Sequence, residues 1–490
     1  MNAALRLFCR QGIWCCCAWA LLPLPSRAQP LSLAQCLALA MEQSPQTLRN
    51  RQSLERSQLR LLEGQAPFAP RLQLNLTLPS YVDNRQLLAS EALSSRVRDE
   101  NTSLQYLSNL ELSQRLRSLG RFTLSSRNQF TDFSSNRQTP YRDYSGDLVL
   151  GYSQSLFAQA PEEVALAQAE LGLAGARLGF SRAQLELEAR VTQAYYGLVR
   201  AQSQLDIDRQ TLERARVSLD LARRKVEVGF LDETEALRLE VDMLRAEANY
   251  TRTQNNIERA RDQLREVLGM DWEQPLEVEG LAEEGFRKYP ISMEKAVSVG
   301  LSRRLDLQAS QLEEENQKLS LRNLRRQTGP TATLNARLGL RGQGDQLSDV
   351  HQRLERNQWS MTLQVSAPLI DGGERRSQVR QQELALEQLQ TDRELLRQNI
   401  VLQIRDAVNS LKAAEREIEL RQAALAVAEK TFAREQQRFE LGLSQSQDML
   451  IAQEQLTSAR TNALDARIGY YLQVENLRQT TMADLGDLAN

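Results

Sequence analysis

Two hydrophobic periods run along this chain, and each predicts a different kind of element. The first period is seven. Val191, Leu198, Leu205, Leu212, Leu219 and Val226 follow one another at heptad spacing, as do Ile404, Leu411, Ile418, Leu425, Phe432 and Phe439. Alanine often stands three positions further on (Ala194, Ala201, Ala215, Ala222; Ala407, Ala414, Ala428). Sustained heptads of large and small apolar residues predict helices packed side by side as coiled coils. Pro161 opens the first helix as a first-turn residue and Gly229 closes it; Gly372-Gly373 precede the second and Gly442 closes it. At ~1.5 Å per residue, each run of about 68 residues would be roughly 100 Å long. The chain then turns back over about 232–268 and 447–477, and shorter helices are expected at about 31–64 and 291–325. A short helix stacked on the end of a returning helix would match the long one in length.

The second period is two. Leu72, Leu74, Leu76 and Leu78 alternate with polar residues, and Leu148, Leu150 and Tyr152 do so up to Leu156. Leu334, Ala336, Leu338 and Leu340 repeat the pattern, followed by Trp359, Met361, Leu363, Val365, Ala367 and Leu369. These alternations predict four β-strands, each near the ~9–11 residues of a tilted transmembrane strand. Four strands are fewer than the ~8 that close a small barrel. An open edge in lipid leaves backbone groups unpaired at several kcal/mol each. Strands of this kind in a membrane therefore require an oligomer.

The layout is written twice. Leu31-Ser32-Leu33 returns as Ile291-Ser292-Met293, and Pro70, Leu74 and Leu78 return as Pro330, Leu334 and Leu338. Further along, the offset shrinks from 260 to 213, which places an insertion between about 80 and 147 in the first half. The expected units are a first repeat over 29–280 and a second over 281–490. Within the insertion, Leu110, Leu112 and Leu116 lead through Ser118-Leu119-Gly120 to Phe122, Leu124 and Phe130. This reads as an extra hairpin that keeps up-down parity. It is either part of a larger barrel with six strands per protomer, or a surface or periplasmic flap.

Composition changes the picture at the N-terminus. Arg6 and Arg10 precede an apolar run from Ile13 to Leu24, with Ser26 and Ala28 at −3 and −1 of a cleavage point. Residues 1–28 are expected to be a secretory signal, since the run is too short to span a bilayer. Its removal leaves Cys36 as the one cysteine, inside a helical pattern and expected to be a small core residue. Charged residues make up 25% and the net charge is −2, a balance that favours neither nucleic acid nor an acidic ligand. Mean hydropathy of −0.49 argues against a bundle of membrane helices.

Candidate chemistry is sparse. The one histidine, His351, stands in a polar stretch between two strand patterns and reads as a solvated loop residue. No Gly-x-Ser-x-Gly, metal-ligand spacing or phosphate loop accompanies it, so no catalytic residue, metal or cofactor is expected. Carboxylates are mostly interleaved with Arg and Lys at helical spacing, which marks solvated, ion-paired faces.

Together these features resemble the TolC family of outer-membrane efflux ducts. The resemblance spans roughly 31–482 and rests on the duplicated layout, the long helices and two turn segments. These are Lys225-Val226-Glu227-Val228-Gly229-Phe230-Leu231 and Arg438-Phe439-Glu440-Leu441-Gly442-Leu443-Ser444. Gln447-Asp448-Met449-Leu450 follows the second, and Tyr195-Tyr196 and Tyr470-Tyr471 stand where the family favours aromatics. The resemblance implies an α+β membrane protein. In it, a homotrimer joins an antiparallel coiled-coil helical barrel in the periplasm to a transmembrane β-barrel of about four strands per protomer in outer-membrane lipid. It implies that Gly229, Phe230, Leu231, Gly442, Leu443 and Ser444 meet a periplasmic adaptor coupled to an inner-membrane pump of RND or ABC type. It also makes Asp448 a candidate entrance-gate acid. Ile451 stands where a second such acid can occur, and Ser444 replaces a basic residue that could bridge helices. The implied function is a passive exit duct for efflux or type I secretion. The alternative is a periplasmic coiled-coil adaptor or scaffold that never enters a membrane.

Overall fold

The computed structural model describes residues 30–90, 95–281, 288–350 and 354–488, apart from single positions 137, 158, 347, 349 and 368. The expected signal over 1–28 and His351 lie outside the described residues. In chain order the first half contains α1 (Leu33–Gln43), α2 (Pro45–Gln65), β1 (Arg71–Ser90), β2 (Ser95–Leu116), β3 (Gly120–Ser135), β4 (Tyr141–Ser155), α3 (Pro161–Glu227) and α4 (Glu233–Leu268). The second contains α5 (Met293–Arg303), α6 (Leu305–Thr328), β5 (Thr331–Gly344), β6 (Glu355–Ser366), α7 (Glu374–Glu440), α8 (Ser446–Thr481) and a final turn, α9 (Leu485–Leu488). Helix lengths match between halves: α3 and α7 each have 67 residues, and α4 and α8 each have 36.

The heptad residues form the seams. Val191, Leu198, Ile404, Leu411 and Ile418 are at most 1% exposed. They lie where α3 packs on α4, α7 packs on α8, and α3 also touches α8. Cys36 is fully buried in the cluster with Val191 and Leu198, and burial pushes its thiol up to about 11.

The short helices at 31–64 and 291–325 are each split in two. Pro45 lacks the N–H needed to continue α1 and drives Ser44 out of helical geometry, after which the Ser44 hydroxyl accepts from the Gln46 amide and caps α2. At Arg304 the second break is held by its guanidinium, which donates to the Thr480 carbonyl and the Asp306 carboxylate. Each break receives the end of a returning helix. Gly269 closes α4 at φ +75° against the α1–α2 junction, where a Cβ would lie 2.8 Å from the Gln43 carbonyl. Met482 takes the same left-handed conformation after α8, and its sulfur accepts from the Leu305 amide. The returning helices thus stack end to end on the short ones.

The sheet corrects the count of about four strands: the described residues hold six, all antiparallel, in the order β1-β2-β3-β4-β5-β6. The physical reason is that the inserted segment pairs on both sides. β2 bonds to β1 and β3 bonds to β4, so the insertion separates strands that would otherwise be neighbours. One row of cross-strand partners reads Leu72, Leu112, Leu124, Leu150, Leu338, Trp359. A row on the opposite face reads Asn75, Asn109, Arg127, Asp147, Arg341, Glu355, with Asp147 and Arg341 ion-paired at 3.0 Å. One face is therefore apolar and the other polar. Among the described residues, β1 and β6 each keep an unpaired edge.

Candidate functional site

The two turns between the long and returning helices lie at the ends farthest from the sheet, and they share one backbone. Gly229 and Gly442 both have φ of +76°. The Gly229 amide donates to the Val226 carbonyl and the Phe230 amide to that of Lys225; Gly442 and Leu443 donate likewise to Phe439 and Arg438. These paired bonds form a Schellman closure, which needs a residue free to enter the left-handed region. No atom lies within 4 Å of a Cβ built on either glycine, so backbone conformation alone demands them.

Each closure pushes apolar side chains into solvent. Phe230 is 85% exposed and Leu443 is 67% exposed, with Val228 and Leu441 beside them. Leu231, grouped with these in the sequence reading, turns inward and packs on the cluster containing Leu219, Phe439 and Met449. Ser444 is half-buried and donates to the Glu435 carboxylate on α7 at 3.1 Å. Asp448 is exposed in the first turn of α8, where the positive end of the helix dipole favours a carboxylate.

Several ties across the two hairpins were not visible from the sequence. Lys225 donates to the Phe439 carbonyl and lies 4.6 Å above its ring. Ser446 and Gln453, both buried on α8, donate to Glu235 and Asp242 on α4, the second at 2.9 Å. Burial pushes the Asp242 carboxyl up, Arg245 and the Gln453 bond pull it down, and Glu454 raises it again. The available signal was the shared spacing of seven in Glu235/Asp242 and Ser446/Gln453, polar residues placed at seam positions. Further along, Thr211 meets Thr457, the Arg200 guanidinium forks onto Asp465 at 2.8 and 2.9 Å, and Tyr196 stacks on Tyr471 at 5.3 Å. Among the described residues there is no group of His, Cys, Asp and Glu that could hold a metal, and no helix is long and apolar enough to cross a membrane.

A half-apolar sheet on paired helices about 100 Å long is the fold of outer-membrane channels. It superposes on VceC from Vibrio cholerae with a TM-score of 0.69 at 17% identity, covering 92% of this chain and 96% of that one. It also matches the CmeC channel of Campylobacter jejuni (TM-score 0.68, 14% identity, 94% and 86% covered). The open-state MtrE channel of Neisseria gonorrhoeae scores 0.66 at 15% identity, with 92% and 89% covered. The chain belongs to the outer membrane efflux protein family, whose profile matches residues 121–270 and 293–481. Among its relatives is the outer membrane protein TolC of Vibrio cholerae, 23% identical over 330 residues, or 67% of this chain and 75% of the relative.

Proposed function

We propose that the protein is the exit duct of a tripartite efflux or type I secretion system. Three protomers close their sheets into one barrel in the outer membrane, and their long hairpins form a tunnel through the periplasm. The observation that carries this reading is the sheet itself, apolar on one face and unpaired at both edges. In lipid each open edge must find a partner. Because the strand number is even, β6 of one protomer runs antiparallel to β1 of the next, so a ring can close without a parallel seam. The protein is a conduit, and an inner-membrane pump supplies the energy through a periplasmic adaptor.

The exposed pairs Val228/Phe230 and Leu441/Leu443 are the adaptor contacts in this reading, with Leu231 and Ser444 holding the turns from within. Phe230→Asp and Leu443→Asp are expected to abolish site-specific crosslinking to the adaptor while the trimer survives in the outer-membrane fraction. Unchanged crosslinking would remove the turns from the interface, and a soluble monomer would refute the duct. Asp448 lines the entrance, one acid per protomer. Asp448→Ala is expected to raise single-channel conductance or weaken block by multivalent cations in a planar bilayer; no change in either would make it a solvated helix-start residue.

A further inference from the structure

The inserted hairpin β2–β3 has the marks of a membrane wall. We infer that it faces the lipid, so the trimeric duct proposed above carries a barrel of eighteen strands, six from each protomer, in place of twelve. The inference rests on that trimeric reading and adds a surface to it: β2 and β3 present an apolar face to acyl chains.

Three observations support it. First, the hairpin continues the apolar face of its neighbours in register. Leu112 and Leu124 stand between Leu72 of β1 and Leu150 of β4 in a single row. All four are exposed, between 40% and 65%, although β2 and β3 lie in the middle of the sheet. An uncovered apolar surface there needs an apolar solvent.

Second, aromatic rings cluster at two levels of this face, and both levels include the insertion. Phe122 of β3 packs on Tyr152 of β4 at 4.8 Å. Eight residues further along each strand, Phe130 packs on Tyr144 at 4.6 Å and on Tyr106 of β2 at 5.9 Å. Eight residues at ~3.4 Å, tilted by about 40°, separate the two levels by roughly 20 Å along the membrane normal. Membrane barrels carry aromatic girdles at the two edges of an apolar band ~25 Å tall. Between the levels, this face has no charged residue on β1 to β5; the exception in the sheet is Arg356, at the β6 bulge opposite Leu340.

Third, the hairpin is not hinged as a flap would be. Every residue of β3 from Arg121 to Phe133 is paired with β4, and the Leu116–Gly120 turn is pinned beneath the sheet. The Ser118 amide donates to Glu163, and Arg121 and Arg115 reach Glu162, all at the start of α3. Gly120, at φ +85°, sits where a Cβ would lie 2.5 Å from the Ser153 carbonyl, so the turn closes tightly on β4.

The test uses the full chain, reconstituted with brominated phospholipid. Leu124→Cys reports on the insertion and Leu72→Cys on β1, each labelled with bimane; buried Cys36 contributes little background. Quenching of both by brominated lipid, with neither quenched by aqueous iodide, is the expected result. Quenching at Leu72 with iodide quenching at Leu124 would overturn the lipid-facing hairpin and leave the duct intact. Lipid quenching at neither would overturn the duct as well. A second measurement sizes the barrel by polymer exclusion from the extracellular side. A chain lacking residues 85–135 joins β1 to β4 through the β3–β4 loop. Since barrel diameter grows about linearly with strand number, its exclusion radius should fall to about two-thirds. A membrane-inserted trimer of this variant with an unchanged radius would overturn the inference.

Discussion

The two turns that close the long helices have the same backbone, yet the helices that leave them are held differently. After the first turn, α4 carries its own cap: the Asp232 carboxylate accepts from the Thr234 amide at 2.7 Å and from its hydroxyl. After the second, Gln445 makes no side-chain cap to α8. Ser446 reaches across to Glu235 and Gln453 to Asp242, so α8 is seated on α4. Identical turns therefore join one hairpin that is locally complete to one that depends on its neighbour. A glycine in the left-handed region can reproduce a turn, because the bonds that close it span only a few residues. The seating of the next helix depends on side chains far away in sequence.

The largest expected effect would strike both turns equally. Gly229→Val and Gly442→Val each force a β-branched residue to a φ of +76°, a strain of about 1–3 kcal/mol. Both should lose efflux complementation and show faster amide exchange at the last turn of α3 or α7. A large effect at one glycine only would mean that the shared backbone is not what matters.

Next comes the seating of α8. Gln453→Leu leaves the partly buried Asp242 carboxylate without its 2.9 Å donor, a loss of about 1–3 kcal/mol. Thermal scans should show a lower Tm. Hydrogen exchange should place the loosening in α8 and not in the first turn of α4.

The pH responses of the two α4 carboxylates should be opposite. Asp242 is raised, chiefly by burial, so its ionised form disfavours the packed state at neutral pH, and that cost disappears as pH falls through its folded pKa. Asp232 is lowered, chiefly by the Thr234 hydroxyl and amide, so its contribution is complete above its unfolded pKa and lost as pH falls through the lower folded one. Asp242→Asn should therefore raise Tm at pH 7 and converge with the wild type in acid. A Tm difference independent of pH would separate this site from the titration.

The smallest effect sharpens the contrast in capping. Asp232→Ala should speed exchange of the Thr234 amide several-fold, whereas Gln445→Ala should leave the start of α8 unchanged. Equal responses would mean that α8 is capped as α4 is.

Much of this architecture was legible in the residue pattern, because helices and turns are closed by local bonds. The heptads from Val191 to Val226 and from Ile404 to Phe439, Pro161, and the two closing glycines determined the long helices and where they turn. The same pattern missed the breaks at Ser44 and Arg304, although Pro45 was in plain view. It also placed Leu231 beside Phe230, because two adjacent apolar residues look alike until one of them has a core to enter. The extra hairpin marks the boundary. Its alternation was readable from Leu110 to Phe130, but alternation says only that one face is apolar, and a flap and a wall share it. Register against β1 and β4 made it part of one continuous face, and pairing between distant strands exists only in the tertiary structure. The same reason applies to Ser446 with Glu235 and Gln453 with Asp242: each partner lies 211 residues from the other, and the spacing of seven that marks both pairs as seam residues does not say which helices meet.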